Sequence, residues 1–325
     1  MQLRVALAWT TINPAARVER GRTLPRGRED CSKRLPSAMR PLAVILPTHT
    51  DRHLRRTLLA VAASSRRPDL VVVSCDGDKP ELEACVKGAA AEFALPIVLV
   101  TRPHSGRAMP AQVRNNGVRA AIAGGLSSDA TLVFLDGDSC PARDCFAAHE
   151  RLCDGRAIVA AALLRMTPQQ TEQFDEAAVK NGQPPAAITT EQWGELRTRE
   201  KRYRRSVFWR RLGLAKSHKP KLIGGNFCVP LAMYIEINGM DEEFFGWGVE
   251  DDDMSRRMYA VGAKPAVGVL AAIAYHQWHP TRAPGEWGEN QAAKRFAGQL
   301  PVRCVHGLEN PLEQGTCRVQ RFSGS

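Results

Sequence analysis

The sequence predicts an α/β fold with a mostly parallel central sheet flanked by helices, on three observations. From position 41 onward, short apolar runs alternate with segments of helical periodicity ~10–15 residues long, the pattern of a parallel sheet with helical crossovers. Those runs end in polar residues, Thr48, Asp76 and Asp136-Gly137-Asp138, and such sheets bind ligands beyond the carboxyl ends of their strands. The composition agrees, since 44% hydrophobic and 24% charged residues are ordinary for a globular chain, and 325 residues suit one elaborated α/β domain with extensions.

The elements follow in order. Leu42-Ala43-Val44-Ile45-Leu46-Pro47 is a buried-strand run closed by the polar Thr48-His49-Thr50-Asp51. Over 53–65, Leu54, Leu58, Leu59 and Val61 share one helical side. Leu70-Val71-Val72-Val73 leads into Asp76-Gly77-Asp78, a helix is expected over about 81–93, and Ile97-Val98-Leu99-Val100 makes a third strand. A helix from Met109 to Ala123 precedes the fourth strand, Thr131-Leu132-Val133-Phe134-Leu135. The second half is less regular. Residues 167–195 read as loop and short helix, 231–237 and 251–261 as helices, and a last strand leads to Tyr275-His276-Gln277-Trp278-His279.

Charge is uneven along the chain, whose net value is +11. Residues 1–40 carry nine Lys/Arg against three Asp/Glu, and residues 191–221 carry eleven against three. The Arg-rich, aperiodic segment 1–38 reads as disordered or as an extension upstream of Met39. The domain is therefore expected over 39–300, with halves 39–140 and 141–300, and 301–325 reads as a loose tail. No apolar run reaches the ~18–20 residues of a membrane span, and no signal peptide is evident. Nine scattered Cys without a Cys-x-x-Cys pair read as free thiols of a reducing compartment, so a cytoplasmic location is expected.

Several segments carry chemistry. Asp136-Gly137-Asp138 places two carboxylates at a strand end where both can face a hard divalent cation. His276, with His279 as the fallback, supplies an imidazole able to complete such a site. Asp76 can accept from a base imide or a ribose hydroxyl. Arg114, in a helix interrupted by Asn115, Asn116 and Gly117, can hold a diphosphate bidentately. In Gly246-Trp247-Gly248-Val249-Glu250-Asp251-Asp252-Asp253, the acids suit a helix N-terminus, Trp247 can stack on a sugar ring, and a neighbouring carboxylate can deprotonate a sugar hydroxyl.

The order of Asp76, Arg114-Asn115-x-Gly117, Asp136-x-Asp138, Gly224-Gly225-Asn226, Gly246-Trp247-Gly248-x-Glu250-Asp251 and His276 resembles the family 2 glycosyltransferases of GT-A fold. The stretch 224–260 is similar to the C-terminal motif of the galactosyltransferase and polypeptide N-acetylgalactosaminyltransferase group. Two positions depart from that pattern, Val249 where a second Gly is usual and Val113 where Ala is usual. The resemblance covers about 41–280 and implies inverting, metal-dependent transfer of a hexose or N-acetylhexosamine from a UDP-sugar to a glycan or lipid-linked acceptor. It implies a base and ribose over Thr48 and Asp76, and Mn²⁺ or Mg²⁺ on Asp136, Asp138 and His276. It also implies Asp251 as general base, Glu250 bonded to a sugar, and Asn226 and Trp247 shaping the pockets.

Two readings compete: a non-catalytic sugar-binding module, and a sugar-1-phosphate nucleotidyltransferase, which would want a Gly-rich phosphate loop where Thr48-His49-Thr50-Asp51 stands. Nucleic acid is not expected as a partner, because no groove-reading motif is present and the basic blocks lie outside the strand-end cluster. For 196–221, where cations interleave with Phe208, Trp209, Leu212 and Leu214, two readings stand: a solvated helical face, or contact with an anionic partner, either the inner face of a membrane met peripherally or an acidic glycan.

Overall fold

The computed structural model describes residues 5–7, 40–185, 187–246, 248–280, 291–313, 315 and 317–323. Its heart is four parallel strands, β2 (Leu42–Thr48), β3 (Leu70–Asp76), β4 (Ile97–Arg102) and β5 (Thr131–Leu135), in the order β4-β3-β2-β5. The crossovers are α1 (Leu54–Ala62), α2 (Pro80–Phe93) and α3 (Pro110–Ala123). Strand periodicity of two sends Ala43, Ile45 and Val72 to one face and Leu42, Val44, Leu46, Val71 and Val73 to the other, so each face builds its own core. Leu54, Leu58, Leu82 and Val86 of α1 and α2 cover the second face, while Val118 and Ala121 of α3 cover the first. The interrupted helix α3 is buried through Ala121, and Gly117 explains how, since a Cβ there would lie 2.8 Å from Ile45 Cγ2.

After β5 the chain makes the short strand β6 (Ser139–Pro141), α4 (Cys145–Leu152), β7 (Ala157–Ala160) and β8 (Ala162–Arg165). Residues 167–195 hold α5 (Pro168–Gln173), α6 (Glu176–Lys180) and the start of α7 (Thr190–Arg211), a 22-residue helix opened by a capping box of Thr189 and Gln192. Then come β9 (Asn226–Pro230), α8 (Leu231–Glu236), α9 (Glu250–Ala260), β10 (Lys264–Val267) and β11 (Ile273–His276). Strand β9 runs antiparallel between β5 and β7, so the parallel character expected of the whole sheet holds for β2–β5 and gives way beyond β5. That reversal is functional in its placement. It brings the residues just before β9 to the carboxyl end of β5, where Asp136 N–H donates to Gly225 O at 3.1 Å.

A second sheet, β6-β11-β8, sits at the same end, and its register sets His276 opposite Ser139, the neighbour of Asp138.

The segment read as a loose tail is docked. It follows α10 (Gln291–Ala297) and contains β12 (Cys317–Phe322), which pairs antiparallel with β4, Val319 facing Val100. Cys304 and Leu308 are buried, and Leu308 O accepts from Arg119 Nε at 2.7 Å. Buried apolar side chains and satisfied backbone groups account for this order. Within the expected disordered stretch 1–38, Val5–Leu7 forms an edge strand, β1, against β12, and the rest lies outside the described residues. Among the described residues no helix is long and apolar enough to cross a membrane.

Candidate active site

Three ligand-type side chains converge where β5, β6 and β11 meet. Asp138 Oδ1 lies 3.5 Å from His276 Nε2, and Oδ2 lies 3.2 Å from His279 Nε2. One atom from each of the three residues falls within 4.8 Å of the others. Donors on one cation at ~2.0–2.2 Å stand ~3–4 Å apart, so a carboxylate and two imidazoles at this spacing fit a divalent transition ion. Burial pushes the Asp138 carboxyl up, but the His279 hydrogen bond and the His276 charge outweigh it and leave it below the usual range. His279 is raised, first by its bond to Asp138. The loop carrying the histidines is pinned by Gln277, fully buried between them, whose backbone N–H and side-chain amide both donate to Asp138 O at 3.0 and 3.1 Å. Arg56 Nη1 donates to Gln277 Oε1 at 2.8 Å. Gln277 was not among the residues singled out in the sequence; its only signal was its place between two histidines.

Asp136 stands apart from this group. Its Oδ1 accepts from Arg114 Nη2 at 3.2 Å, and burial raises its pKa against the opposing Arg114 charge. It was expected as a metal ligand, but among the described residues the cluster consists of Asp138, His276 and His279. Arg114, expected on a diphosphate, is itself buried. The same Nη2 donates to Gly224 O at 3.1 Å, and Nη1 donates to Pro110 O at 3.3 Å.

The four acids opening α9 separate into distinct surroundings. Asp253 is wholly buried, accepting from Arg257 Nε at 2.7 Å and Arg256 Nη2 at 3.0 Å, which makes it structural. Asp252 lies 3.5 Å from Lys221 Nζ. Glu250 is buried and accepts from Gly248 N–H at 2.9 Å; burial, then the Asp251 charge, push its pKa up to about 7. Asp251 is half-buried, with Oδ2 accepting from Gly224 N–H at 3.2 Å and Oδ1 from Asp252 N–H at 2.8 Å. Burial raises it and the Lys221 charge opposes the rise. It sits at the positive end of the helix with lone pairs to spare, which suits a proton acceptor.

At the other strand ends, Thr48 Oγ1 donates to Thr50 O at 2.7 Å and packs on Gly137, where a Cβ would come within 2.8 Å of Thr48 Cβ. Asp76 Oδ1 accepts from Arg102 Nε at 2.8 Å and lies 3.2 Å from His104 Nδ1. Arg102 was overlooked, although Asp76 and Arg102 are directly paired ends of neighbouring strands. A cavity of about 210 Å³ beside them is lined by Arg102, His104, Ser105, Gln112 and Glu313.

Asn226 corrects an expectation. It is fully buried, its amide donates to Ala162 O and Ala272 O at 3.0 and 2.8 Å, and Oδ1 meets His149 Nε2 at 2.8 Å. All its polar atoms are used in tying β9 to its neighbours, so it is a structural residue. Trp247 lies outside the described residues.

Residues 211–272 match the family model described as the N-terminal domain of galactosyltransferase. That segment contains the Gly224–Asp253 fingerprint, and the resemblance read from the sequence is borne out there. No curated protein matches the chain. Among solved structures, GalNAc-T7 with UDP, GalNAc and Mn2+ is similar at 15% identity and TM-score 0.49, over 79% of this chain and 47% of that one. TarS of S. aureus (residues 1–349) is similar at 15% identity and TM-score 0.44, over 73% of this chain and 60% of that one. Drosophila beta1,4galactosyltransferase 7, solved with xylobiose, gives 13% identity and TM-score 0.45, over 88% and 95%. The chain thus spans about half the length of the GalNAc-T7 structure.

Proposed function

We propose that the protein is a metal-dependent, inverting glycosyltransferase that moves a hexose or N-acetylhexosamine from a UDP-sugar to a hydroxyl of a glycan or lipid-linked acceptor. One observation carries this reading. The metal-type cluster of Asp138, His276 and His279 and the carboxylate of Asp251 belong to one bonded assembly, linked through Asp136, Arg114 and Gly224.

Asp138, His276 and His279 would hold Mn²⁺ or Mg²⁺, which when bound neutralises charge developing on the departing diphosphate. Asp251 takes the proton of the acceptor hydroxyl as its oxygen bonds to the anomeric carbon. The bond from that carbon to the diphosphate oxygen breaks on the opposite face, and UDP leaves with the electron pair. Glu250, whose carboxyl burial raises to about 7 and so keeps partly protonated at neutral pH, donates in that form to a sugar oxygen. Asp76, oriented by Arg102, meets the nucleoside end of the donor beside Thr48. The proposed location is cytoplasmic, which free thiols favour; Cys75, Cys140, Cys145, Cys153, Cys228 and Cys304 are buried free thiols.

The test is incubation of the purified chain with Mn²⁺ and a panel of UDP-sugars and acceptors, following UDP release and the anomeric configuration of the product by NMR. Asp251→Asn should lower turnover ~10²–10⁴-fold while donor binding persists. UDP-sugar binding without any turnover would point to the binding module, and pyrophosphate release from a nucleoside triphosphate and sugar-1-phosphate to the nucleotidyltransferase.

A further inference from the structure

Among the described residues, eight large apolar side chains are conspicuously exposed, and four of them fall within seven positions: Phe208 (55%), Trp209 (43%), Leu212 (54%) and Leu214 (69%). They close α7 and begin the turn after it, where Phe208 and Trp209 meet edge to face at 5.4 Å between ring centroids. A helix end ordinarily buries such residues against its own domain. Here the domain is held by others. Leu196 and Tyr203 of α7 are buried, and Arg210 stacks its guanidinium 3.8 Å from the Tyr259 ring and donates to Lys216 O and Ser217 O, both at 2.8 Å. Anchored in this way, the end of α7 presents its rings and leucines outward.

From Lys201 to Lys216 every charged residue of the chain is a cation. Lys201, Arg202, Arg204, Arg205, Arg211 and Lys216 are all exposed. Of these, Arg204 alone has a carboxylate partner among the described residues, Glu200. Helical spacing stacks Lys201, Arg205, Phe208 and Leu212 along one face, cations behind and apolar groups ahead.

We propose that the C-terminal end of α7 and the turn through Lys216 form a docking surface for an anionic lipid bilayer. Lys201, Arg202, Arg205, Arg211 and Lys216 attract the headgroups, and Phe208, Trp209, Leu212 and Leu214 enter the interfacial region. Apolar exposure decides between candidate partners. An acidic glycan or a nucleic acid would use the cations and could stack on the two rings, but it would gain nothing from Leu212 and Leu214, the latter the most exposed of the four, whereas a bilayer interface rewards the cations, the rings and the leucines together. The chain runs from this surface through Lys221, 3.5 Å from Asp252, to Gly224, which Asp251 holds. If the transferase reading holds, a membrane-borne acceptor would thus be delivered next to the base; the docking itself does not rest on that reading.

The test uses the full chain and binding alone. Sedimentation with phosphatidylcholine vesicles, with and without phosphatidylglycerol, should show binding only to the anionic set, falling ~10-fold or more in high salt. Vesicles of brominated lipid should quench tryptophan emission in the wild type and much less in Trp209→Phe. Two further variants, Phe208→Ser/Leu214→Ser and Arg205→Ser/Arg211→Ser/Lys216→Ser, alter exposed positions only. The first should lose quenching, and the second should lose binding ~10-fold or more. Absence of binding to anionic vesicles, undiminished binding by both variants, or equal binding to heparin without quenching would each overturn the proposal. None of these readouts involves sugar transfer, so a transferase that ignores vesicles and a vesicle binder without transferase activity are told apart.

Discussion

The Arg114 guanidinium meets the Asp136 carboxylate at 3.2 Å, and the same nitrogen donates to Gly224 O at 3.1 Å. Gly224 in turn gives its N–H to Asp251. One buried cation from α3 therefore sets the position of the Asp136-Gly137-Asp138 turn relative to the proposed base. The fork geometry matters, because one planar group reaches a carboxylate and two carbonyls at once, which an ammonium cannot reproduce. Arg114→Lys is expected to lower transfer ~10-fold or more with Mn²⁺ affinity within a few-fold of wild type, since a small misplacement of reacting groups is expensive. Arg114→Ala should also lower unfolding free energy by ~1–3 kcal/mol, because Asp136 is left half-buried without its partner. Steady-state kinetics, Mn²⁺ titration and denaturant melts decide; unchanged turnover in Arg114→Lys would remove Arg114 from the assembly.

The donor cluster makes a sharper separation. Asp138→Asn and His279→Ala should each weaken Mn²⁺ binding well beyond ~10-fold, and Gln277→Ala ~10-fold by loosening the histidine loop. Asp136→Asn should leave Mn²⁺ affinity nearly intact, because Asp136 is engaged with Arg114 and lies outside the cluster. Electron paramagnetic resonance of free Mn²⁺ measures this directly. Equal losses in Asp136→Asn and Asp138→Asn would restore Asp136 as a ligand.

What was legible in the sequence is what local pattern encodes. The apolar runs of β2–β5 and the polar residues closing β2, β3 and β5 could be read because a strand buried on both faces must be apolar throughout and must stop at a polar residue. His276 and His279 were visible as ligand types, but their joint placement depends on β6 pairing with β11, a register no local pattern gives. Asn226 misled because Gly-Gly-Asn carries no sign of burial; only the antiparallel insertion of β9 brings its amide against Ala162 of β8 and Ala272 just before β11. The end of the chain misled for a related reason. Cys317-Arg318-Val319-Gln320 alternates apolar and polar residues as a half-buried strand does, yet its partner β4 lies more than two hundred positions away.

Val249 carries a local strain that the sequence hinted at. Its φ is +64°, in the left-handed region, where a β-branched residue is strongly disfavoured. Val249→Gly should relieve ~1–2 kcal/mol of strain, partly offset by the larger entropy of glycine in the unfolded chain, for a net gain below ~1 kcal/mol. Val249→Ala should fall between the two. Denaturation midpoints of the three proteins rank them, and a loss of stability in the glycine variant would show that the side chain's packing outweighs the backbone.

Glu250 makes stability depend on pH in a predictable direction. Burial and the neighbouring Asp251 charge raise its carboxyl from 4.5 to about 7 in the folded chain. Below about pH 4.5 the group is protonated both folded and unfolded, and contributes nothing. Between about pH 4.5 and 7 the folded chain holds a proton that the unfolded chain has lost, so stability falls as pH rises. Above about pH 7 the whole penalty is present, ~2–3 kcal/mol for a shift of this size when part of it is shared with Asp251. Glu250→Gln stays neutral throughout and keeps an oxygen to accept the Gly248 N–H. It should therefore match the wild type near pH 4 and exceed it by ~2–3 kcal/mol near pH 8, with the gap opening between. Denaturant unfolding of both proteins across that range measures the gap. A gap that is constant with pH would mean that Glu250 ionises in the folded chain as readily as in the unfolded one, and its role as a hydrogen-bond donor to a sugar at neutral pH would fall with it.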